Sequence, residues 1–193
     1  FVMLLSGLMI FNAHPRLYWG EFGANQDPSW LQIGAVEGRG YLRVGGTSID
    51  TTGVLGARTV GESTVTTAFP GWATLPSTYD LAFARAWHLT FAWVFALGFL
   101  AFAVASLANR HLVRDFAHDG YNPLQKLAYF GVLAVLVPGM ILSGLTMSPA
   151  MDAAWPWLLD LFGGRQSARS IHFIFASLLV AFLVVHLVMV LLA

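Results

Sequence analysis

Residues 170–193 read SIHFIFASLLVAFLVVHLVMVLLA, an apolar stretch whose two ionisable side chains are His172 and His186. Fourteen residues separate them, so at about 1.5 Å and 100° per residue they lie about 21 Å apart and about 40° short of four full turns. Both imidazoles then project from one stripe of one helix, near its two ends. Ionisable side chains are costly at membrane depth and mark a pathway or a site. A stripe carrying two haem irons in series across a bilayer has this form.

Composition agrees with that reading. The 193 residues are 57% apolar and 10% charged, whereas an ordinary soluble domain carries about 25% charged residues. This is the balance of an integral membrane protein. A formal net charge of zero argues against nucleic acid as a partner. There is no cysteine, which excludes disulfides, thiolate ligation of iron–sulfur clusters and covalent c-type haem. A bound cofactor must be held by histidine, oxygen or packing.

A spanning helix needs about 20 apolar residues, and three stretches supply them: 81–108, 126–147 with Pro138 and Gly139 mid-span, and 170–193. Residues 1–13, FVMLLSGLMIFNA, make about half a span, without a basic flank of the signal-peptide kind. They read as the second half of a first transmembrane helix whose beginning precedes this sequence. The expected fold is an all-α membrane protein, a four-helix transmembrane bundle with a long extracytoplasmic loop at 14–80. That loop is rich in Gly, Thr and Ser and carries Tyr18, Trp19, Trp30, Tyr41 and Trp72. Gly38-Arg39-Gly40 and Gly45-Gly46 complete no nucleotide fingerprint, so some strands and turns are expected there. Ser77-Thr78-Tyr79-Asp80 resembles a helix cap before the second span.

Orientation follows from the short connection at 109–125, which carries Arg110, Arg114, His111 and His118, with Lys126 at its edge. The connection at 148–169 balances Asp152 and Asp160 against Arg165 and Arg169. The basic loop belongs in the cytoplasm, and 14–80 and 148–169 then face outward. His88 and His172 therefore share the outer level, as two axial ligands of one haem must. His186 lies near the inner end and needs a partner that neither other complete span offers. Arg85-Ala86-Trp87-His88 and Arg169-Ser170-Ile171-His172 each place an arginine one turn before the histidine. Such an arginine can hold a haem propionate or simply snorkel at the interface. His111 and His118 read as solvated, His14 as structural, and Ala92, Ala96, Gly98, Gly131, Gly144 and Ala176 as packing residues that let helices approach.

FNAHPRLYWG, FPGWATLP, RAWHLTFAW, YNPLQKLAYFGVL, SGLTMSP and RSIHFIFASLLVAFLVVHLVMV together resemble the bacterial four-helix, two-haem cytochromes b of the cytochrome b561 and nickel-hydrogenase type. The long outer loop resembles the thiosulfate-reductase-like branch. This resemblance implies haem b as cofactor, two in the full-length protein, with His88 and His172 on one iron. It implies that His186 and a first-helix histidine absent from this sequence serve the other. It further implies a quinone site near the inner haem, which points to Asn122 and Gln125, and an extracytoplasmic partner subunit of molybdopterin type.

The function implied is an electron-transfer subunit of a respiratory oxidoreductase, multi-pass in the bacterial inner membrane, with catalysis left to the partner. Two alternatives stay open. One is a stand-alone membrane haem reductase. The other is a transporter or assembly protein without haem, which would favour acidic residues in the span cores, where none occurs from Leu81 onward.

Overall fold

The computed structural model describes residues 1–24, 26–110 and 122–192. His111, His118 and most of the basic connection lie outside the described residues. The elements run α1 (Val2–Asn12), β1 (Arg16–Leu17), β2 (Leu31–Val36), β3 (Arg39–Val44), β4 (Thr47–Asp50), β5 (Arg58–Val60), β6 (Ser63–Val65), α2 (Leu81–Ala108), α3 (Pro123–Phe130), a π-helical turn (Gly131–Leu136), α4 (Val137–Thr146), α5 (Pro149–Ala154), α6 (Pro156–Leu161) and α7 (Arg165–Leu192). They form two compact units, one of residues 1–92 and 163–167, the other of residues 93–162 and from 168 onward.

Among the described residues, three helical stretches are long and apolar enough to cross a membrane: Leu81–Ala108, Pro123–Thr146 and Arg165–Leu192, with mean hydropathies of 2.2, 2.0 and 2.9. The chain is thus mostly helical and built for a bilayer, but it is not all-α. Strands β1 to β4 form one antiparallel sheet in sequence order, and β5 and β6 form a separate hairpin.

In the first unit the sheet grows from two tight hairpins. Glu37 and Gly38 both take positive φ, 50° and 78°, the pair of values that a two-residue turn matched to strand twist requires. Gly38-Arg39-Gly40 and Gly45-Gly46 are therefore hairpin punctuation, with Val36 facing Arg39 and Val44 facing Thr47 across the two turns. Buried Leu17, Tyr18, Ile33, Ala57 and Ala68 make the core of this segment. Hydrogen bonds join it to α1. The Asn12 amide donates to the Phe69 carbonyl at 3.1 Å and accepts from its N–H at 2.7 Å, and Leu75 N–H donates to the Leu5 carbonyl at 3.0 Å.

Helix starts follow local chemistry. Asp80 caps α2, its carboxylate accepting from Phe83 N–H at 2.9 Å. Helix α7 begins at Arg165, ahead of the apolar stretch, because the Gly20 carbonyl accepts from both Gln166 and Ser167 N–H at 3.1 Å. Ser167 Oγ in turn accepts from Gly20 N–H at 2.7 Å. Groups that a helix N-terminus leaves orphaned are thereby paired.

In the second unit, Asn122 caps α3 by accepting from Leu124 N–H at 3.0 Å, while Gln125 accepts from Asn122 N–H at 3.3 Å. This capping box starts the helix at Pro123 rather than at Lys126. Proline cannot donate within a helix and crowds the preceding turn. Here the strain of Pro138 is taken up by the wide turn at Gly131–Leu136 directly before α4. Gly139 is needed where it stands, since a Cβ there would overlap the Phe175 ring.

Candidate functional site

The candidate ligands sit in two local environments built alike. In the first unit, His88 on α2 is half-buried and meets α1. Its Nδ1 lies 3.2 Å from Ser6 Oγ and 3.0 Å from the Met3 carbonyl oxygen. Ser6 is fully buried at 0% exposure. The next residue, Gly7, leaves just enough room for the ring: a Cβ there would sit 3.3 Å from His88 Cε1.

In the second unit, His172 on α7 meets α4. Its Nδ1 lies 3.1 Å from Oγ of Ser143, which is likewise at 0% exposure. Again the next residue is a glycine, and a Cβ on Gly144 would sit 3.3 Å from His172 Cε1. The two serine–glycine pairs lie in the same tetrad, Leu5-Ser6-Gly7-Leu8 and Leu142-Ser143-Gly144-Leu145.

His186, nearly four fifths of the way along α7, is surrounded differently. Phe182 stacks on it, ring centroids 5.8 Å apart and 14° from parallel. Tyr129 of α3 approaches edge-on at 6.0 Å and 73°, its hydroxyl 3.4 Å from Nδ1.

These donors fit haem b. A histidine bound through Nε2 ordinarily has Nδ1–H held by a hydrogen-bond acceptor, which fixes the tautomer and ring orientation. His88 and His172 both have Nδ1 held in this way inside apolar spans. Among the described residues no group of three or more His, Cys, Asp or Glu converges on a point. A porphyrin needs none, because it brings four of the six iron ligands itself.

The remaining candidates divide by neighbourhood. Arg85 is exposed and shares α2 with His88, one turn before it, while Arg169 is half-buried and holds the same place before His172 on α7. Asn122 and Gln125 are exposed and come together in the capping box, so helix initiation already accounts for their side-chain oxygens. His14 stacks on Tyr18 at 5.7 Å.

Sequence reasoning passed over Ser6, Ser143 and Tyr129. The signal for the serines was present as the repeated Leu-Ser-Gly-Leu. For Tyr129 no sequence signal stands out, since its role depends on how α3 faces α7.

Comparison with known proteins agrees with the chemistry. A subunit from Azospira oryzae named a putative protein-methionine-sulfoxide reductase subunit YedZ1 is 34% identical over 112 residues, which are 58% of this chain. That stretch covers 54% of the relative, so this chain matches about half of its length. No solved structure matches. The family described as prokaryotic cytochrome b561 matches residues 1–193, and the chain belongs to it: this is a membrane cytochrome of the b561 family, in which haem b is the bound group.

Proposed function

We propose that this chain is the haem b membrane subunit that relays electrons between the quinone pool and an extracytoplasmic oxidoreductase subunit, one of molybdopterin type. The observation that carries the reading is the pair of buried serine–histidine contacts, Ser6 with His88 and Ser143 with His172, inside apolar helices. The printed name of the Azospira relative, a reductase subunit, supports a partner-dependent role. The proposed architecture is a four-helix bundle in the bacterial inner membrane, with α1 as part of the first helix.

His88, His172 and His186 are the proposed axial ligands, with the pairing of His88 and His172 that the resemblance implies. Bound haem b supplies one-electron redox chemistry at iron. The protein's residues do the rest. His88 and His172 would hold the iron, and two histidines on one haem would leave no site for oxygen or substrate. Apolar side chains along α2 and α7 exclude water. Arg85 and Arg169 supply guanidinium groups for propionates, whose charge-assisted hydrogen bonds suit the membrane surface. Asn122 and Gln125 form the proposed quinone-side contact, and exposed Trp19 and Trp72 belong to the proposed docking face for the partner.

Membranes containing the full protein, mixed with a short-chain quinol under anaerobic conditions, provide the test. Reduction of the b-type absorbance by quinol, and its reoxidation only when the partner subunit and its acceptor are present, is the expected result. Reoxidation by soluble ferric iron without the partner would favour a stand-alone reductase instead.

A further inference from the structure

A hydroxyl has one proton to give. Ser6 Oγ donates to the Val2 carbonyl at 2.7 Å, and Ser143 Oγ donates to the Met140 carbonyl at 3.2 Å. What each oxygen then offers its histidine is a lone pair, for which Nδ1–H is the matching donor. At His88 this is fixed, because the Met3 carbonyl 3.0 Å from Nδ1 can only accept. His88 therefore carries its proton on Nδ1, and the same tautomer at His172 is the one that matches a Ser143 hydroxyl given to Met140.

From this we infer that Ser6 and Ser143 are positioning residues that set the electron-donating strength of the haem ligands. The inference rests on the proposed ligation by His88 and His172. An acceptor on Nδ1–H raises the basicity of the ring, and a more basic imidazole favours ferric over ferrous iron. The two serines thus hold the reduction potential of the haem they serve below that of an unsupported bis-histidine haem. At His88 the Met3 carbonyl is an acceptor beside Ser6. His186 has in this place a phenol at 3.4 Å rather than a buried serine.

The test is a potentiometric titration of the b-type absorbance, with haem quantified per chain, on the full protein in its membrane. The variants are Ser143→Ala, Ser143→Thr and Ser6→Ala. Ser143→Ala is expected to move one midpoint to a more positive potential. Ser143→Thr, which keeps the hydroxyl, should titrate with the parent, and Ser6→Ala should move a midpoint in the same direction as Ser143→Ala. An unchanged midpoint in Ser143→Ala overturns the inference while leaving the ligation intact. Should Ser143→Ala lose its haem, retention in Ser143→Thr supports the hydroxyl's role, and loss in both assigns the site to packing and overturns it. A parent protein without b-type haem overturns the ligation on which the inference rests, and is told apart by the haem content alone.

Discussion

Ser143 Oγ lies 3.1 Å from Nδ1 of His172, a buried hydroxyl facing a ring nitrogen between two apolar helices. Polar groups are not placed at such a depth without a partner, and here each supplies what the other lacks. The same relationship recurs between Ser6 and His88 at 3.2 Å, with a glycine following the serine in both.

If His88 and His172 serve one iron, their losses are not additive. His88→Ala and His172→Ala are each expected to remove the same share of haem, and the double variant no more than either. Haem quantified per chain in the three variants decides it. A double variant that loses twice as much places the two histidines on different irons.

The glycines beside the serines set a steric test. A Cβ on Gly144 or Gly7 would stand 3.3 Å from an imidazole Cε1, closer than an ordinary contact, so alanine forces the ring to shift by a few tenths of an ångström. Overpacking of this kind costs about 1–3 kcal/mol. Gly144→Ala is expected to weaken haem retention on heating, and Gly144→Val to abolish it. Retention equal to the parent's in Gly144→Val would show that the ring does not need this space.

Asn122 and Gln125 carry two roles that mutation can separate. Asn122→Ala removes the cap of α3, at a cost of about 0.5–2 kcal/mol, and should lower thermal stability and quinol reactivity together. Asn122→Asp keeps the oxygen that accepts from Leu124 N–H and should restore stability. Quinol oxidation that stays low in Asn122→Asp marks the amide as part of the quinone contact; full recovery confines Asn122 to helix capping.

At the end of β4, the Thr52 side chain and N–H both favour the charged form of Asp50, whose carboxyl they hold below the ordinary carboxylate range. A lowered folded-state pKa stabilises at pH above the ordinary carboxylate value, and the effect is lost as pH falls through the lowered one. The Thr52 amide, bonded to Asp50 at 2.9 Å, should therefore lose protection, relative to an unstructured amide at the same pH, as the pH drops below the usual aspartate range. The Asp50→Asn variant should show no such pH dependence.

Much of this was legible in the sequence because the bilayer imposes simple rules. Length and hydropathy mark α2 and α7, and an Asp before an apolar run marks the cap at Asp80. Spacing alone puts His172 and His186 on one stripe. The strands between Arg16 and Val65 were harder to locate, since short two-residue turns and alternating polar residues give weak periodic signals. The start of α7 at Arg165 could not be read either, because it depends on Gly20, far away in sequence. The serines were overlooked for a related reason: a serine in an apolar run reads as a small packing residue until its histidine is found beside it. Pro138 is plain in the sequence, but the wide turn at Gly131–Leu136 by which the helix accommodates it is not.

The central claim is that histidines of this chain hold haem b. Its most direct test is a dithionite-reduced minus oxidised spectrum, with haem quantified per chain, on the full protein and on its His172→Ala variant. The account predicts b-type bands in the parent and loss of haem in the variant. A colourless parent, or a variant with undiminished haem, would contradict it.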